Sequence, residues 1–344
     1  MHNATFNQKP GQNLDKMLES GLSLHRIKKR HTTFHMDKKS VSIIIPTYNG
    51  AHLLKDYLPH TVDVIQQSNS ISEFEIIIID DASTDETRQY LENVTIPNLS
   101  VIINECNSGF SKTINKGIRQ AKMDLCLLLN NDMDLPLDFF DVTIPYFTDN
   151  SIFGISTEIR DRAGKNIIES RKLPVFKHRT FNYKNTTDVT NSNTLYLCGG
   201  NSIVDTIKLK ELNGFNELFS PFYFEDFDLS LRAWRKGWKS IYINSTFCKH
   251  TPSTTIRKEN RNSYVEAIFI RNKLLLNYLH STTANSILLC FRTYCKIFLY
   301  SFSNRENKRI FIKPAKDFLA LKKEADKQRK IEYNNLNPID WSLF

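Results

Sequence analysis

Four short apolar runs, each ended by polar residues, constrain the fold of this chain more than any other feature of its sequence. They are rich in Ile, Val and Leu and lie at residues 41–45, 76–79, 101–103 and 125–129. Continuous apolar runs of this length indicate strands buried on both faces, as in parallel sheets. Helix-like stretches separate them, at residues 53–67, 84–93 and 111–120. The alternation predicts an α/β fold with a mostly parallel sheet flanked by helices.

Polar residues follow each predicted strand at the point where it ends. They form four clusters: Pro46-Thr47-Tyr48-Asn49, Asp80-Asp81, Asn107-Ser108-Gly109 and Asn130-Asn131-Asp132. In open parallel sheets, ligands bind outside the carboxyl ends of the strands. We therefore expect these four clusters to line one cleft.

Charge is distributed unevenly along the chain. The net charge of +9 divides into +5 for residues 1–40, −5 for residues 41–250 and +9 for residues 251–344. Basic ends suit either an anionic membrane surface or ordinary solvated helices. The acidic middle argues against a nucleic-acid binder, because phosphate-binding surfaces are basic. With helical patterns after residue 250, we predict a basic leader (1–40), an α/β domain (41–250) and a basic helical C-terminal extension (251–344).

Cysteine usage and hydropathy predict a cytoplasmic protein. The six cysteines form no CxxC pair, which is typical of reduced intracellular thiols, and the first residues lack the apolar segment of a signal peptide. The longest apolar helical stretch, residues 287–302, contains Arg292 and Lys296 and is shorter than the roughly 20 residues of a membrane span. That stretch predicts a helix that rests on the inner face of the plasma membrane, packs on the α/β domain or forms a homodimer seam.

Six segments in order and spacing resemble glycosyltransferase family 2, an inverting group with the GT-A (Rossmann-like) fold, and most closely its rhamnosyltransferase-like bacterial subgroup. The segments are IIIPTYNG (43–50), IIDDASTDET (78–87), NSGFSKTINKGI (107–118), LLLNNDMD (127–134), LCGGNSIV (197–204) and LNGFNELFSPFYFEDFDLSLRAWRKGW (212–238). The resemblance covers residues 41–250. It implies transfer of a sugar from a nucleoside-diphosphate donor to a hydroxyl acceptor, a saccharide or a lipid-linked glycan of a surface polysaccharide.

The resemblance also implies a nucleotide site. Asp80 and Asp81 would accept hydrogen bonds from the base and the ribose hydroxyls, while the alternative is that they cap the following helix. The other predicted nucleotide-binding residues are Pro46, Thr47, Tyr48, Asn49, Asn107 and Gly109.

A metal site is predicted where Asn130-Asn131-Asp132 resembles the family's metal-binding DxD motif, with Asn in place of the first Asp. Asp132 is the expected carboxylate ligand, and Asp134 and His250 are further candidates. Oxygen ligands together with a diphosphate suit Mg²⁺ or Mn²⁺. The alternative is a capped turn before a helix at residues 136–147.

Glu225-Asp226 is the predicted catalytic pair, with Asp226 as the general base. Three aromatic residues precede it, and an apolar surrounding raises the pKa of a carboxyl group. The alternative is a helix N-cap with an ion pair to Arg232 or Arg235. The predicted sugar and acceptor contacts are Asn130, Asn131, Gly199, Gly200 and Asn201.

Two other functions stay open at this point. A GT-A-like fold without catalysis would be a binding or assembly module, and a sugar nucleotidylyltransferase would need a Gly-rich basic loop after the first strand. The sequence lacks the QxxRW motif and the membrane channel of processive family members, so we expect a single sugar addition.

Overall fold

The computed structural model describes residues 38–177, 180–188, 192–251, 262–302 and 308–344. Most of the predicted leader (1–40), with its short helix expected at residues 14–24, lies outside these ranges. The strands are β1 (Lys39–Thr47), β2 (Ile71–Asp80), β3 (Leu99–Ile103), β4 (Leu125–Leu129), β5 (Met133–Asp134), β6 (Ile152–Asp161), β7 (Ile167–Glu169), β8 (Arg171–Lys177), β9 (Thr180–Thr186), β10 (Asn201–Asp205) and β11 (Lys239–His250).

The described strands form one large sheet and one hairpin. The sheet has the order β3-β2-β1-β4-β10-β6-β11-β5, with β7 paired to β6, and β8 pairs with β9 in the hairpin. Strands β1 to β4 are parallel neighbours, whereas β10 lies antiparallel between β4 and β6. The mostly parallel α/β sheet predicted from the sequence is confirmed.

Helices flank the sheet and continue beyond it. They are α1 (Ala51–Gln67), α2 (Thr87–Asn93), α3 (Phe110–Gln120), α4 (Phe139–Thr143), α5 (Thr206–Glu211), α6 (Glu225–Arg235), α7 (Asn262–His280), α8 (Thr283–Ser301) and α9 (Lys313–Gln328). Short 3₁₀ turns occur at Ile144–Thr148, Glu217–Phe219 and Trp341–Leu343, and π-helical turns at Lys308–Ile312 and Arg329–Tyr333. Among the described helices, none is both long and apolar enough to cross a bilayer.

The four apolar runs explain the centre of the sheet. The isoleucines of β1 and β2 and the leucines of β4 are almost completely buried, because helices cover both faces of these parallel strands. Two local expectations were wrong. The apolar run at residues 195–198 predicts a strand, but these residues are buried and irregular, and the strand begins at Asn201. The sequence predicts a further strand over residues 239–243, whereas β11 continues to His250.

The C-terminal helices share an apolar core with the sheet domain. One cluster joins Phe219, Phe227 and Leu231 near α6 to Leu275 of α7 and Phe318 of α9. Residues 37–344 therefore form one compact unit. The boundary that we expect at residues 250–251 stays a prediction.

Candidate functional site

The loop after β1 is closed against the loop after β4. Asn131 Nδ2 donates a hydrogen bond of 2.8 Å to Thr47 Oγ1. Asn49, with a positive φ of 50°, accepts from the backbone N–H of Thr84 at 2.8 Å. A Cβ at Gly50 would lie 2.2 Å from Asn131 Nδ2, so only glycine allows this approach. Two of the predicted clusters thus meet at one edge of the sheet.

Asp80 and Asp81 fasten the loops that follow β2 and β3. The carboxylate of Asp80 accepts from the backbone N–H of Ser83 at 3.2 Å. The two oxygens of Asp81 accept from the N–H groups of Ser108 and Gly109, each at 2.9 Å. Both residues are buried, and α2 begins only at Thr87, so neither carboxylate caps that helix. Asp81 Oδ1 also accepts from Asn104 Nδ2 at 2.7 Å, and Asp80 Oδ1 from Ser83 Oγ. The Oδ2 atom of each residue is therefore the one with a lone pair left for a ligand.

The turn at Gly109 joins this side of the cleft to the segment before α6. Gly109 has a φ of 80°, and a Cβ there would lie 3.0 Å from Cα of Pro221. The N–H of Phe110 donates to the carbonyl of Pro221 at 3.1 Å. Glycine is required here on both conformational and steric grounds.

Asp132 and His250, 118 residues apart, lie side by side. Asp132 Oδ2 is 3.1 Å from His250 Nε2, and the side chain of Asp132 is only 7% exposed. Asp134 is directed elsewhere, with its carboxylate 3.3 Å from His60 Nε2 and 3.7 Å from Lys249 Nζ. Within the described residues, no group of three or more His, Cys, Asp or Glu side chains is placed to hold a metal. The protein side of the predicted metal site thus consists of two donors.

Gly199 and Gly200, which precede β10, have different surroundings from Asn201, which begins it. The N–H of Asn130 donates to the carbonyl of Gly200 at 3.0 Å, and a Cβ at Gly200 would lie 2.7 Å from Asn130 Nδ2. Gly199 lies against Asp226, whose Cβ would be 3.6 Å from a Cβ at Gly199. Asn201 is fully buried in the sheet and donates to the carbonyl of Thr157 at 3.0 Å. The glycines border the cleft, whereas Asn201 bonds within the sheet.

A strained turn presents Glu225 and Asp226 at the start of α6. Tyr223 and Phe224 have positive φ values of 76° and 72°. Bulky residues rarely adopt this conformation, and such strain is concentrated at functional sites. Asn272 of α7 stabilises the turn, because its Nδ2 is 2.9 Å from the carbonyls of both Phe222 and Tyr223.

Burial shifts the pKa values of this carboxylate pair. It raises the pKa of Asp226 to about 6, although the N–H of Phe227 donates to Asp226 Oδ1 at 2.7 Å and favours the charged form. The pKa of Glu225 is raised well above its ordinary value, mainly by burial and to a smaller extent by the negative charge of Asp226. Glu225 Oε2 has no hydrogen-bond partner among the described residues. Asp226 can therefore exchange a proton near neutral pH.

Glu225 and Asp226 do not form the ion pair with Arg232 or Arg235 that the N-cap alternative predicts. Arg232 Nε donates instead to Asp228 Oδ2 at 2.8 Å. The guanidinium of Arg235 donates to the carbonyls of Tyr333, Leu336 and Asn337.

A cavity of about 530 Å³ opens beside the pair. Its aromatic lining consists of Tyr183, Tyr196, Tyr223, Phe224, Phe227 and Phe269. Its acidic lining consists of Glu169, Glu225, Asp226 and Glu266. Aromatic faces with hydrogen-bonding groups at the edge suit a sugar ring.

Sequence analysis missed an ion pair between Lys172 and Glu169 beside this cavity, of which only Glu169 belongs to the lining. Lys172 Nζ lies 2.7 Å from Glu169 Oε2 and 4.8 Å from the ring centre of Tyr196, and its side chain is buried. Its positive charge lowers the pKa of Asp226 and partly offsets the effect of burial. The only sequence signal was a Glu and a Lys three residues apart in a polar stretch that we interpreted as an insertion.

A buried network fixes the rest of α6. Asp228, fully buried, accepts from Arg232 and from Tyr333 Oη at 2.7 Å, and its Oδ1 lies 2.8 Å from His280 Nε2. Arg232 also donates to the carbonyls of Leu212 and Gly214. Burial alone would raise the pKa of Asp228, but Arg232 and the other donors lower it. The helix that carries Asp226 is thus tied to α7 and to the segment after α9.

Comparison with known proteins identifies the domain. A family model described as glycosyl transferase family 2 matches residues 42–212. The undecaprenyl-phosphate 4-deoxy-4-formamido-L-arabinose transferase of Proteus mirabilis is 33% identical over 108 residues, 30% of this chain and 32% of that protein. The poly(ribitol-phosphate) β-N-acetylglucosaminyltransferase TarS of Staphylococcus aureus is 34% identical over 93 residues, 26% of this chain and 16% of that protein. The chain thus matches at most about a third of the length of these relatives.

Solved structures share the fold at lower identity. TarS residues 1–349 in complex with UDP-GlcNAc give a TM-score of 0.54 at 20% identity, covering 84% of this chain and 85% of that one. The mannosyltransferase PcManGT of Pyrobaculum calidifontis, in complex with GDP-Man and Mn²⁺, gives 0.52 at 16% identity, covering 86% and 79%. The GT-A fold is confirmed. The rhamnosyltransferase-like subgroup stays a prediction.

Proposed function

Because the domain at residues 42–212 belongs to glycosyl transferase family 2, we propose that the protein transfers a sugar from a nucleoside diphosphate to an acceptor hydroxyl with inversion at the anomeric carbon. One observation carries this proposal: Asp226, with a pKa of about 6, faces an aromatic cavity at the edge of the cleft. The predicted nucleotide-binding residues lie at the ends of β1 and β2 and in the loop after β3, and this last loop meets the segment before α6 where the N–H of Phe110 donates to the carbonyl of Pro221.

The proposed step moves one proton and one sugar. Asp226 takes the proton of the acceptor hydroxyl as the oxygen forms a bond to the anomeric carbon. The bond from that carbon to the diphosphate oxygen breaks, and the nucleoside diphosphate leaves with the electron pair. A positioned general base typically contributes about 10²–10⁴ in rate.

The chemistry of the cavity favours an uncharged acceptor. Glu169, Glu225, Asp226 and Glu266 line it, and the described lining contains no basic residue. The ionised carboxylates among them would repel a bare phosphate, since the charge of the nearby Lys172 is paired with Glu169, and all four carboxyl groups can form hydrogen bonds with sugar hydroxyls. We therefore place a saccharide, free or linked to a lipid, in this cavity.

Asp132 and His250 suit a divalent cation. They offer one carboxylate and one imidazole at a shared point, and both Mg²⁺ and Mn²⁺ accept oxygen ligands, with Mn²⁺ also tolerating nitrogen. The donor diphosphate would complete the coordination. When bound, such an ion neutralises the charge that develops on the leaving diphosphate.

We expect Asp132→Ala to abolish the effect of Mn²⁺ on nucleoside-diphosphate affinity, because it removes the carboxylate donor. Titration calorimetry with and without Mn²⁺ measures this. Asp134→Ala is the matched control, because its carboxylate lies on His60 and Lys249. An unchanged effect of Mn²⁺ in Asp132→Ala, or loss of the effect in Asp134→Ala, would show that Asp132 is not the carboxylate ligand of the metal.

Hydrolysis of the donor distinguishes an active enzyme from a binding module. We expect slow release of nucleoside diphosphate from a nucleotide-sugar without acceptor, because water can replace the acceptor hydroxyl. A screen of nucleoside diphosphates by thermal shift first selects the donor base. Binding without any release, and without transfer to any offered saccharide, would favour an inactive assembly module. Release of pyrophosphate from a nucleoside triphosphate and a sugar phosphate would instead favour a nucleotidylyltransferase.

The remaining parts of the proposal concern place and partners. We place the protein in the cytoplasm, against the inner face of the plasma membrane, where it adds a single sugar to each acceptor. The exposed apolar side of α8 supports a contact there. The alternative is that the same surface of α8 forms a homodimer interface.

A further inference from the structure

Helix α8 has an exposed apolar stripe along one side. Ser286, Cys290 and Thr293 face the core and are buried. On another side, large apolar side chains are 57–78% exposed: Ile287, Phe291, Tyr294, Phe298 and Phe302. Their spacing of four, three, four and four residues places them on one helical face. We call this set the α8 stripe.

A groove with a positive border runs beside the stripe. It measures about 640 Å³ and lies between α7 and α8, with apolar lining from Ile270, Leu274 and Leu288. Lys273, Arg292 and Lys296 also line it, and none of the described lining residues is acidic. Helix α8 itself contains no Asp or Glu.

We propose that the α8 stripe and this groove dock on an anionic lipid bilayer. Helix α8, about 28 Å long at 1.5 Å per residue, would lie in the interfacial plane with its apolar side among the acyl chains. Lys273, Arg292 and Lys296 would then meet the lipid phosphates. An apolar stripe with a basic border is the pattern of helices that lie on membranes, and each basic residue near an anionic surface adds to the attraction.

Charge favours lipid over a second copy of the chain. A two-fold dimer through this surface would place the same residues of both copies together. Lys273 and Lys296 would then face like charges, with no acid in the described lining beside them. A membrane of anionic lipid supplies the complementary charge and the apolar phase together.

Helix α7 connects this surface to the acceptor cavity. Val265, Glu266 and Phe269 line the cavity beside Asp226, and Ile270 and Lys273, on the next turn, line the groove. Docking would therefore bring the mouth of the cavity close to the lipid surface. This consequence rests on the proposed function, whereas the docking itself does not.

Co-sedimentation of the full chain with vesicles tests the proposal. We expect binding to vesicles of phosphatidylcholine with phosphatidylglycerol at low salt, and much weaker binding to phosphatidylcholine alone. Phe291→Ser with Phe298→Ser should weaken binding at least about tenfold. Lys296→Glu should weaken it about fivefold or more. Ile207→Ser, at a position 77% exposed on α5, and Lys165→Glu, in the β6–β7 turn, are the matched controls and should bind normally.

Two results would overturn docking. One is a full chain that ignores anionic vesicles at low salt. The other is a dimer in solution that Phe298→Ser converts to monomer, with vesicle binding unchanged. Donor hydrolysis measured without vesicles separates this proposal from the proposed function, because it needs no lipid. Hydrolysis without vesicle binding would leave the enzyme proposal standing and remove only the docking.

Discussion

Asp226→Asn is expected to lower turnover at least about 100-fold while nucleotide-sugar affinity stays within about twofold. Asn keeps the shape of the side chain and its contact with the turn but cannot accept the proton of the acceptor hydroxyl. Transfer to a saccharide acceptor and titration of the donor measure the two quantities. Glu225→Gln is the paired control. Near-normal turnover in Asp226→Asn, with a larger loss in Glu225→Gln, would assign the base to Glu225.

The pH dependence of turnover is a second test of Asp226 as the general base. Only the carboxylate form of Asp226 accepts a proton, and its pKa is about 6. Turnover should therefore rise as pH increases through about 6 and then level off. The raised pKa also means that ionising Asp226 costs stability: the cost is absent below the ordinary carboxyl pKa of 3.8, grows as the pH rises from there to about 6, and is constant above that. Asp226→Asn removes this cost, so its thermal midpoint at neutral pH should equal or exceed that of the native protein.

The second large effect is on stability. Asp228→Ala should lower the free energy of unfolding by about 3–5 kcal/mol, because it leaves the buried guanidinium of Arg232 without its carboxylate. The variant also removes the acceptor of Tyr333 and the partner of His280. Denaturant unfolding, with the midpoint and slope compared to the native protein, measures the loss.

Glu211→Ala serves as the control for charge removal. Its ion pair with Lys236 is 49% and 38% exposed, so the loss should stay below about 1 kcal/mol. Tyr333→Phe removes the two hydrogen bonds of the hydroxyl, one to Asp228 and one from Asn216, and should cost about 1–3 kcal/mol. A loss below about 1 kcal/mol in Asp228→Ala would mean that the network is solvated and does not fasten α6.

Local sequence patterns were sufficient to predict the parallel half of the sheet. Strands β1, β2 and β4 are apolar on both faces, so their burial is visible in the composition of each run. The turn after α5 was equally visible, because Asn-Gly is a common end to a helix, and Asn213 and Gly214 do have positive φ values of 58° and 66°.

Long-range geometry was beyond the same reasoning. Asp132 and His250 meet because β11 pairs with β5, and that pairing has no local signal. Lys172 is buried beside the cavity although it comes from a polar stretch of the sequence that has no local sign of burial. The left-handed turn at Tyr223 and Phe224 runs against the preference of both residues, so only the surrounding contacts, such as those from Asn272, can impose it. These features are the ones that distinguish the site from the bare fold.

The hydrogen bonds of Asp228 predict an order of events during folding. Its partners His280 and Tyr333 follow it by 52 and 105 residues, whereas β1, β2 and β4 pair within the first part of the chain. Contacts across long loops form late, because loop closure must precede the energy that they return. A chain emerging from the ribosome can thus assemble its sheet long before α6 acquires its full set of donors. The helix that presents Asp226 has its full set of buried donors only when Tyr333 has docked, so the geometry of the proposed site depends on a segment more than 100 residues downstream of it.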